Sequence, residues 1–406
     1  MCNRFYGLMG RWTASLTLSA AALLAAASVQ AGQAVFAENE SLVSSRPDIF
    51  DPEYNQKRAK ITWVDAIGRL WVANVDRTTG LFKPANGMGV MVDPEALTAS
   101  EQMMVGNGPE WLTGPGPDRI VYTKFVPGLP RVRENARLAV AEQGVNGTWT
   151  HRLLSELPRL RPYTNVDAGE PVGLVSYVDP DGNQYWRDIA IPESEAIVPA
   201  MPPSRTLPMR FVSGQRATIF VAPVNGDSQV VRYWLDTGVV EQLTFDGGHG
   251  KTTPFMWRAP EFGNDFVFMI MANDASEFRI YRQLDKSQPA WTVVFSAAAP
   301  AGTRLISPEP FVFGGKSYVF MSAMLLPDLA TSSIYVANID ASQPIFRKLT
   351  PDTPARKRSD PEVFLASSGE AYIYYARVDT NPVAPCPCYE GIFRSNTGLP
   401  AAAVAP

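Results

Sequence analysis

The chain has 406 residues, of which 46% are hydrophobic and 19% charged, a composition that is typical of a folded globular protein and excludes a disordered one. Its 36 Lys and Arg against 40 Asp and Glu give a net charge of −4, and an acidic surface repels phosphate backbones, so nucleic acid is disfavoured as the main partner. Only two His are present, which leaves little room for a His-rich metal site or a haem-type centre.

Residues 1–37 have the three zones of a secretory signal peptide. Arg4 and Arg11 form a basic start, and residues 14–29 are an uncharged apolar run. Small residues then offer a cleavage site after Ala31 or, as taken for the boundary here, after Ala37. The run has about 16 residues, fewer than the roughly 20 that span a bilayer, although an uncleaved membrane anchor is the alternative. No later apolar run reaches that length, so we expect a secreted or periplasmic protein with no membrane span after cleavage.

A short phrase recurs through the rest of the chain at nearly regular spacing. Residues 71–76 read Trp-Val-Ala-Asn-Val-Asp and residues 335–340 read Tyr-Val-Ala-Asn-Ile-Asp, and in both a Phe follows the Asp by six residues. Looser copies give seven marker residues: Trp71, Ala139, Trp186, Val231, Tyr281, Tyr335 and Phe393. Their spacings of 45 to 68 residues suit a unit of four strands with its loops.

A second landmark precedes each marker, a Pro that opens a short apolar run. The seven are Pro52, Pro109, Pro171, Pro208, Pro254, Pro308 and Pro361. The runs between landmarks alternate and are rich in β-branched and aromatic residues, turn residues fill the gaps, and no stretch keeps a period of 3.6 residues. The pattern predicts an all-β protein in which Pro begins the innermost strand of each repeat, where its missing N–H costs least.

Sheets of three or four strands cannot bury both faces alone, whereas sheets arranged radially bury each face against the next sheet. We therefore predict a single β-propeller over residues 38–396, with seven blades or, as the alternative, six, followed by a flexible tail at residues 397–406. The last repeat ends near Asn396 without a clear fourth strand. An N-terminal strand near residues 41–46 is expected to complete that blade and close the ring.

Two phrases resemble the repeats of TolB-type β-propellers. They are residues 229–244 (QVVRYWLDTGVVEQLT) and residues 334–350 (IYVANIDASQPIFRKLT), each followed by a strand that begins with Pro. The Ser-Pro-Asp-Gly turn of that family is missing from nearly every repeat. The resemblance implies a propeller in the periplasm or outside the cell, but no single activity, because the fold hosts many. The chain has no Gly-x-Ser-x-Gly nucleophile elbow, which disfavours the peptidase-linked version.

Two groups of carbohydrate-active enzymes share weaker similarities. Residues 108–125 and 360–378 are similar to segments of five-bladed glycosidases of the arabinanase and β-xylosidase kind, whose Asp-Pro and Pro-Glu segments carry catalytic carboxylates. That resemblance implies Asp51 or Asp360 as the base and Glu110 as the acid, although this chain has more repeats than five. The other group is the seven-bladed polysaccharide lyases, such as oligogalacturonate and ulvan lyases, which generally use several His with Tyr and Arg.

Four of the seven landmark Pro residues are followed directly by Glu, namely Glu53, Glu110, Glu309 and Glu362. If each Pro begins an inner strand, these carboxylates face one end of the central channel, where like charges raise some of their pKa values. A raised pKa is what a general acid needs, and a ring of carboxylates can also hold a cation. Alternatively, each Glu accepts backbone N–H bonds or pairs with an Arg from the next blade.

His249 lies in a Gly-rich loop, residues 246–253, directly before a predicted inner strand. We expect this loop on the same face as the four Glu, where a neutral imidazole acts as a base or binds an acidic sugar, with an exposed loop His as the alternative. His151 follows an outer strand and is interpreted as structural or solvated. Trp111 and Trp257 are candidate sugar contacts, although Trp residues in such repeats are more often inter-blade core.

No metal site and no cofactor are predicted. Residues 179–183 (Asp-Pro-Asp-Gly-Asn) offer alternating oxygens, as a calcium loop does, but lack a distal acidic ligand, so a hairpin turn is favoured over a bound calcium ion. Cys386 and Cys388 could pair with each other or bridge to a partner. Because a disulfide across one residue is strained, two free thiols or a labile redox pair also stay open.

The sequence favours a monomeric propeller that binds a partner protein or a carbohydrate at the mouth of its central channel. The alternative is a carbohydrate-active enzyme, a glycoside hydrolase before a polysaccharide lyase. The catalytic candidates are Glu110, Glu309, Glu362 and His249. The ligand-binding candidates are Asp51, Glu53, Asp360, Trp111 and Trp257.

Overall fold

The computed structural model describes residues 39–85, 87–98, 108–112, 116–164, 173–191, 193–199, 201, 209–327, 329–380 and 388–400. These residues form strands, turns and two short 3-10 helices, Arg133–Asn135 and Pro260–Phe262. Within these ranges, no helix has the length and apolar character that crossing a membrane requires. The signal-peptide segment, Pro171, Pro208 and Cys386 lie outside the described residues.

The described residues contain twenty-nine strands, which make up seven antiparallel sheets that we call blades 1 to 7. The chain starts with β1 (Glu40–Ser44), which belongs to blade 7. Blade 1 contains β2 (Phe50–Asn55), β3 (Lys60–Val64), β4 (Leu70–Val75) and an outer strand in two pieces, β5 (Phe82–Lys83) and β6 (Val90–Asp93). Blade 2 contains β7 (Glu110–Leu112), β8 (Arg119–Phe125), β9 (Ala136–Gln143) and β10 (Trp149–Leu153). Blade 3 contains β11 (Leu160–Thr164), β12 (Leu174–Val178), β13 (Gln184–Asp188) and β14 (Ala196–Ile197).

The remaining four blades follow the same order. Blade 4 contains β15 (Arg210–Phe211), β16 (Ala217–Val224), β17 (Asp227–Trp234) and β18 (Val240–Gln242). Blade 5 contains β19 (Thr252–Ala259), β20 (Asp265–Ala272), β21 (Glu277–Arg282) and β22 (Thr292–Ala298). Blade 6 contains β23 (Thr303–Phe313), β24 (Lys316–Leu325), β25 (Ser332–Asn338) and β26 (Phe346–Lys348). Blade 7 contains β27 (Lys357–Ala366), β28 (Glu370–Asp379), β29 (Cys388–Asn396) and β1.

The seven first strands form a closed circle. Each contacts the first strand of the next blade, and β27 of the last blade contacts β2 of the first. The outer edge of blade 7 is completed by β1, which pairs antiparallel with β29 from Glu40 opposite Ser395 to Ser44 opposite Ile392. The seven-bladed propeller and its closure by an N-terminal strand are therefore confirmed, and every marker residue of the repeat lies on the third strand of its blade.

Hydrophobic contacts between neighbouring blades form the core. Each cluster of buried apolar side chains draws its members from two adjacent blades, and together the clusters cover all seven seams. Trp111 fills the seam between blades 1 and 2, and Trp257 fills that between blades 5 and 6. Because these residues are only 1% and 5% exposed, neither is available to stack on a sugar. The prediction that both residues bind a ligand is therefore wrong, and both Trp side chains belong to the hydrophobic core between blades.

The Pro landmark has a different structural meaning from the one expected. Pro52 and Pro361 lie inside their first strands and not at the beginning, at a β-bulge where the strand carries one extra residue. In blade 3 the Pro at the bulge is Pro162, whereas the segment after Pro171 forms the second strand, β12. The assignment of Pro171 to a first strand is therefore wrong.

Candidate functional site

The same bulge occurs in the first strands of blades 1, 3, 5, 6 and 7. In each blade, the first strand has one more residue than its neighbour between two consecutive cross-strand pairs. In blade 1, for example, Phe50 pairs with Val64 and Glu53 pairs with Thr62, so β2 advances three residues while β3 advances two. The residue before the Pro has a left-handed backbone with φ between 46° and 57° in all five: Asp51, Arg161, Thr253, Ser307 and Asp360. Because Pro has no N–H, the extra residue leaves no ladder donor unpaired at that position.

One residue of each blade lies in a ring around the central channel, placed by the bulge in blades 1, 3, 5, 6 and 7 and by the first residue of the first strand in blades 2 and 4. The seven residues, which we call the channel ring, are Glu53, Glu110, Tyr163, Arg210, Phe255, Glu309 and Glu362. Packing supports their equivalence, since the residue that follows a ring member contacts the preceding blade, as Trp111, Phe211 and Met256 do. All four predicted Glu thus belong to one ring, together with three residues that sequence analysis did not select.

Blades 6, 7, 1 and 2 supply the acidic half of the ring. Burial and the charges of Glu362, Glu110 and Glu309 raise the pKa of Glu53 well above its usual value. Burial and the charges of Glu309 and Glu110 raise the pKa of Glu362 in the same way. Among the described residues, neither the Glu53 nor the Glu362 carboxyl group has a hydrogen-bond or ion-pair partner. These two groups therefore favour the protonated form.

Blades 3, 4 and 5 supply the other half, which centres on Arg210. Its guanidinium carbon lies 3.5 Å from the centre of the Tyr163 ring and 4.1 Å from that of Phe255, so the cation is held between two aromatic faces. It also donates to the Tyr163 hydroxyl, and its Nη2 lies 3.4 Å from Glu309 Oε1. Arg210 thus links the aromatic half of the ring to the acidic half.

The environments of the acids in the ring differ. Burial raises the pKa of Glu309, and the charge and hydrogen bond of Arg210 oppose that rise, a compensation that Glu53 and Glu362 lack. The Glu309 side chain keeps 29% of its surface accessible because it faces the channel. Burial raises the pKa of Tyr163 well above its usual value, so its hydroxyl stays neutral. The ring therefore combines one Arg-bound carboxylate with two uncompensated carboxyl groups.

The residues before the Pro form a second tier in the channel. Asp51 adds to the rise in the pKa of Glu53 and Glu362, and Asp360 adds to that of Glu362, so both predicted aspartates belong to the same acidic cluster. The Asp51 carboxylate packs against Gly108 of blade 2, where an added Cβ would lie 2.5 Å from Asp51 Oδ2. Glycine at residue 108 is thus required by the close approach of Asp51.

His249 interacts with Asp246 in its own loop. Its Nε2 is 3.8 Å from Asp246 Oδ2, and Asp246 also accepts a hydrogen bond from Tyr281 and lies near Arg279. Among the described residues, no hydrogen bond or ion pair joins His249 to a ring member, and the expectation that it shares their site stays a prediction. His151 lies 3.6 Å from the buried Asp93, which fits its interpretation as a structural residue.

In the part of the chain that the structure describes, no group of three or more His, Cys, Asp or Glu side chains is arranged to hold a metal ion.

The loop at residues 179–183 is a hairpin turn, as favoured from its sequence. The Asp179 carboxylate accepts the backbone N–H groups of Asp181 and Asn183 and the side-chain amide of Asn183. Its oxygens are therefore occupied within the turn.

The sequence contained a signal for two of the missed residues. Tyr163 and Phe255 directly follow Pro162 and Pro254, in the position that Glu occupies in four other blades. Because only Pro-Glu pairs were selected, aromatic residues at the same place were passed over. Arg210 follows Pro208 by two residues and lacked any equivalent signal.

Comparison with known proteins gives likenesses of structure only. No family model and no curated protein matches the sequence. The Cps50 (Swd1) β-propeller domain of Myceliophteria thermophila is 10% identical, with a TM-score of 0.51 over 87% of this chain and 98% of that one. KlAtg21, solved in complex with the coiled-coil of AgAtg16, is 11% identical, with a TM-score of 0.51 over 84% and 97%. TolB from Acinetobacter baumannii is 15% identical, with a TM-score of 0.38 over 84% and 79%.

These likenesses show the fold alone. At identities of 10% and 11%, they support a β-propeller and assign neither an activity nor a ligand. The TolB-type repeat family and the similarity to glycosidases are not established by them.

Proposed function

We propose that the protein binds a partner protein at the mouth of its central channel, with a Lys or Arg side chain of the partner entering the acidic half of the channel ring. The observation that carries the proposal is the pair Glu53 and Glu362, whose carboxyl groups have no hydrogen-bond or ion-pair partner among the described residues. Buried charges are stable when paired, so an incoming cation would find two carboxyl groups already placed to receive it.

The charge balance of the channel supports a cationic ligand. Among the described residues, the four Glu of the ring and the two Asp of the second tier outnumber the cations of this cluster, which are Arg210, Arg161 and the neighbouring Arg133. Of these, Arg210 is already engaged by Glu309 and by two aromatic rings. An entering ammonium or guanidinium group would offset the repulsion among the acids and let Glu53 and Glu362 ionise.

Protein binding is also compatible with the fold. KlAtg21, which shares this fold, was solved in complex with a coiled-coil of AgAtg16. The first strands of a propeller all begin at one end of the channel, so a partner resting there can place one side chain on the axis. A carbohydrate is the other ligand class that the sequence favoured.

Calorimetry with a five-residue peptide that carries one central Lys tests the proposal, since the same peptide with acetyl-lysine keeps the shape and loses the charge. We expect the Lys peptide to bind about tenfold more tightly, and Glu53→Gln together with Glu362→Gln to remove that preference. Binding should release protons, because the two carboxyl groups ionise as the cation enters. Glu156→Gln, an exposed residue elsewhere, is the matched control. Equal affinity for both peptides contradicts the proposal.

Glycoside hydrolysis is the second candidate, and one observation favours it. Arg210 opposes the rise in the pKa of Glu309, whereas that of Glu362 rises without such compensation, and carboxyl groups in unlike environments are what an acid and a base of this reaction need. Incubation with a panel of polysaccharides, using Glu309→Gln and Glu362→Gln as inactive controls, tests it. If the wild-type protein cleaves none of them, the candidate fails.

Export is a separate proposal. We infer that residues 1–37 are removed as a signal peptide and that the mature protein is secreted or periplasmic. The propeller begins with β1 at Glu40, three residues after the predicted cleavage site at Ala37, so cleavage there would leave the closing strand intact. Expression with the full leader, followed by N-terminal sequencing of the exported protein, should give a chain that starts at Glu38. A mature protein that retains residues 14–29 contradicts this.

A further inference from the structure

A cavity of about 600 Å³ opens at one end of blade 6, between the loops that join this blade to blades 5 and 7. Its walls include Thr303 at the start of β23, residues 331–333 and Tyr335 around the start of β25, and residues 350–352, 355 and 356 before β27. None of its lining residues belongs to the channel ring. The volume falls within the range of roughly 300–1,000 Å³ that small-molecule sites occupy, so the cavity is large enough for a ligand of its own.

A stripe of hydroxyl groups lines one wall. Thr331, Ser333 and Tyr335 alternate along the chain and therefore face the same side of the sheet, and Ala323 opposite Ser333 leaves space in front of them. Among the described residues, none of these three hydroxyls has a hydrogen-bond partner. Burial and the nearby charge of Asp352 raise the pKa of Tyr335 to about 12, so its hydroxyl remains a donor at neutral pH. Polar groups in such a position call for water or a ligand.

Lys348 lies beside these hydroxyl groups and pairs with an exposed carboxylate that a ligand could displace. Lys348 lies directly opposite Tyr335 across β25 and β26, and its ammonium group pairs with Asp352, which is 84% exposed. Arg356, by contrast, is held by Asp379 at 3.2 Å and by Glu390 at 3.0 Å. An exposed ion pair contributes little, so an anionic ligand can replace Asp352 on Lys348 at small cost.

We propose that this cavity binds a small sugar acid, whose carboxylate pairs with Lys348 in place of Asp352 and whose hydroxyls pair with Thr331, Ser333 and Tyr335. A sugar acid fits because its hydroxyls both donate and accept, as the lining hydroxyls do, while Lys348 requires an anion. The site is independent of the channel ring and of the function proposed for it.

Calorimetry with three probes tests the two parts of this site separately. D-glucuronate carries both the carboxylate and the hydroxyls, D-glucose lacks the carboxylate, and acetate lacks the hydroxyls. We expect D-glucuronate to bind at least about tenfold more tightly than either of the others. Equal affinity for glucose or for acetate overturns the proposal, as does the absence of saturable D-glucuronate binding.

Variants locate the binding. Lys348→Met should weaken D-glucuronate binding about tenfold, whereas Asp352→Asn should strengthen it, because the variant frees Lys348 from its competitor. Lys286→Met, which removes an exposed lysine paired with Asp265 in blade 5, is the matched control and should bind as the wild type does. The melting temperature of each variant is measured as well, so that a change in affinity is compared only among variants that fold as the wild type does. If Lys348→Met and Asp352→Asn both keep wild-type affinity, the cavity is not the site.

Discussion

Two glutamates on the same sheet of blade 7 have opposite environments. Glu40 of β1 accepts hydrogen bonds from Arg358 Nε at 2.9 Å, Arg377 Nη1 at 2.8 Å and Tyr375 Oη at 3.0 Å, and these partners hold its pKa below the usual value against the opposing effect of burial. Glu362 of β27 has no such partner among the described residues, and its pKa is raised well above that value.

The difference shows that hydrogen-bond and ion-pair partners, more than burial, decide whether the pKa of a buried acid is lowered or raised. Glu40 is charged and ties the N-terminal strand to the rest of blade 7, so its environment stabilises the fold. Glu362 resists ionisation, which is a cost in stability at neutral pH and the condition for binding a cation. Substitutions at the two residues should therefore change stability in opposite directions.

The largest effect is expected from Glu40→Ala. The change leaves the side chains of Arg358 and Arg377, 1% and 17% exposed, without their shared carboxylate. Removing one partner of a buried pair costs about 3–5 kcal/mol, so the free energy of unfolding in urea should fall by about that amount. Glu370→Ala on β28 of the same blade should cost several times less. Equal losses in the two variants would remove the special role of Glu40.

A smaller loss is expected from Gly108→Ala in the channel. The added Cβ would lie within 2.5 Å of the Asp51 carboxylate, and such overpacking costs about 1–3 kcal/mol. Urea unfolding measures the loss, and the double variant Gly108→Ala with Asp51→Gly should recover most of it. If the double variant is no more stable than Gly108→Ala alone, Asp51 is not the obstructing group.

Glu362→Gln should stabilise the protein at high pH. An acid whose pKa is raised in the folded state favours folding less as pH rises from about 4.5 towards the raised value, because the unfolded chain loses its proton first. The variant lacks this penalty, so we expect a gain of about 1 kcal/mol at pH 8 and none at pH 4. Glu40 follows the opposite sign, since its lowered pKa makes its contribution disappear as pH falls below about 4.5. A gain from Glu362→Gln that does not depend on pH contradicts the mechanism.

The smallest effect is expected from His249→Ala. This half-buried loop residue interacts with Asp246, outside the channel ring, so its removal should change the free energy of unfolding by no more than about 0.5 kcal/mol. Peptide binding in the channel should not change either. A loss of binding comparable to that of the Glu53 and Glu362 variants would place His249 in the channel site.

The fold could be predicted from the sequence because each blade repeats its own local pattern. The marker residues lie on third strands, where most side chains are buried between neighbouring blades, so Trp, Tyr and Val recur there. The closing strand could also be inferred, since a last repeat that ends at Asn396 needs a partner from the other end of the chain. Blade 3 was misread, because Pro162 and Pro171 both precede apolar runs and only one lies on a first strand.

The site could be predicted only in part. The four Glu were found through a shared local phrase, whereas Arg210 reaches Glu309 from 99 residues away, and Arg358 reaches Glu40 from 318 residues away. Contacts of that kind depend on how blades meet around the axis, and no spacing in the sequence records them. For the same reason, the identical Pro-Glu phrases do not show that Glu309 is the one with an Arg210 partner.

The pairing of β1 with β29 has a consequence for how the molecule is made. Residues 40–44 can pair only after residues 392–395 have been synthesised. The circle of blades therefore closes late in synthesis of this chain. Bringing two such distant segments together costs about 5 kcal/mol of chain entropy, which the strand pairing and the Glu40 contacts have to offset. Until then blade 7 presents an unpaired edge on β29, so a nascent or truncated chain exposes a ready template for association with another chain.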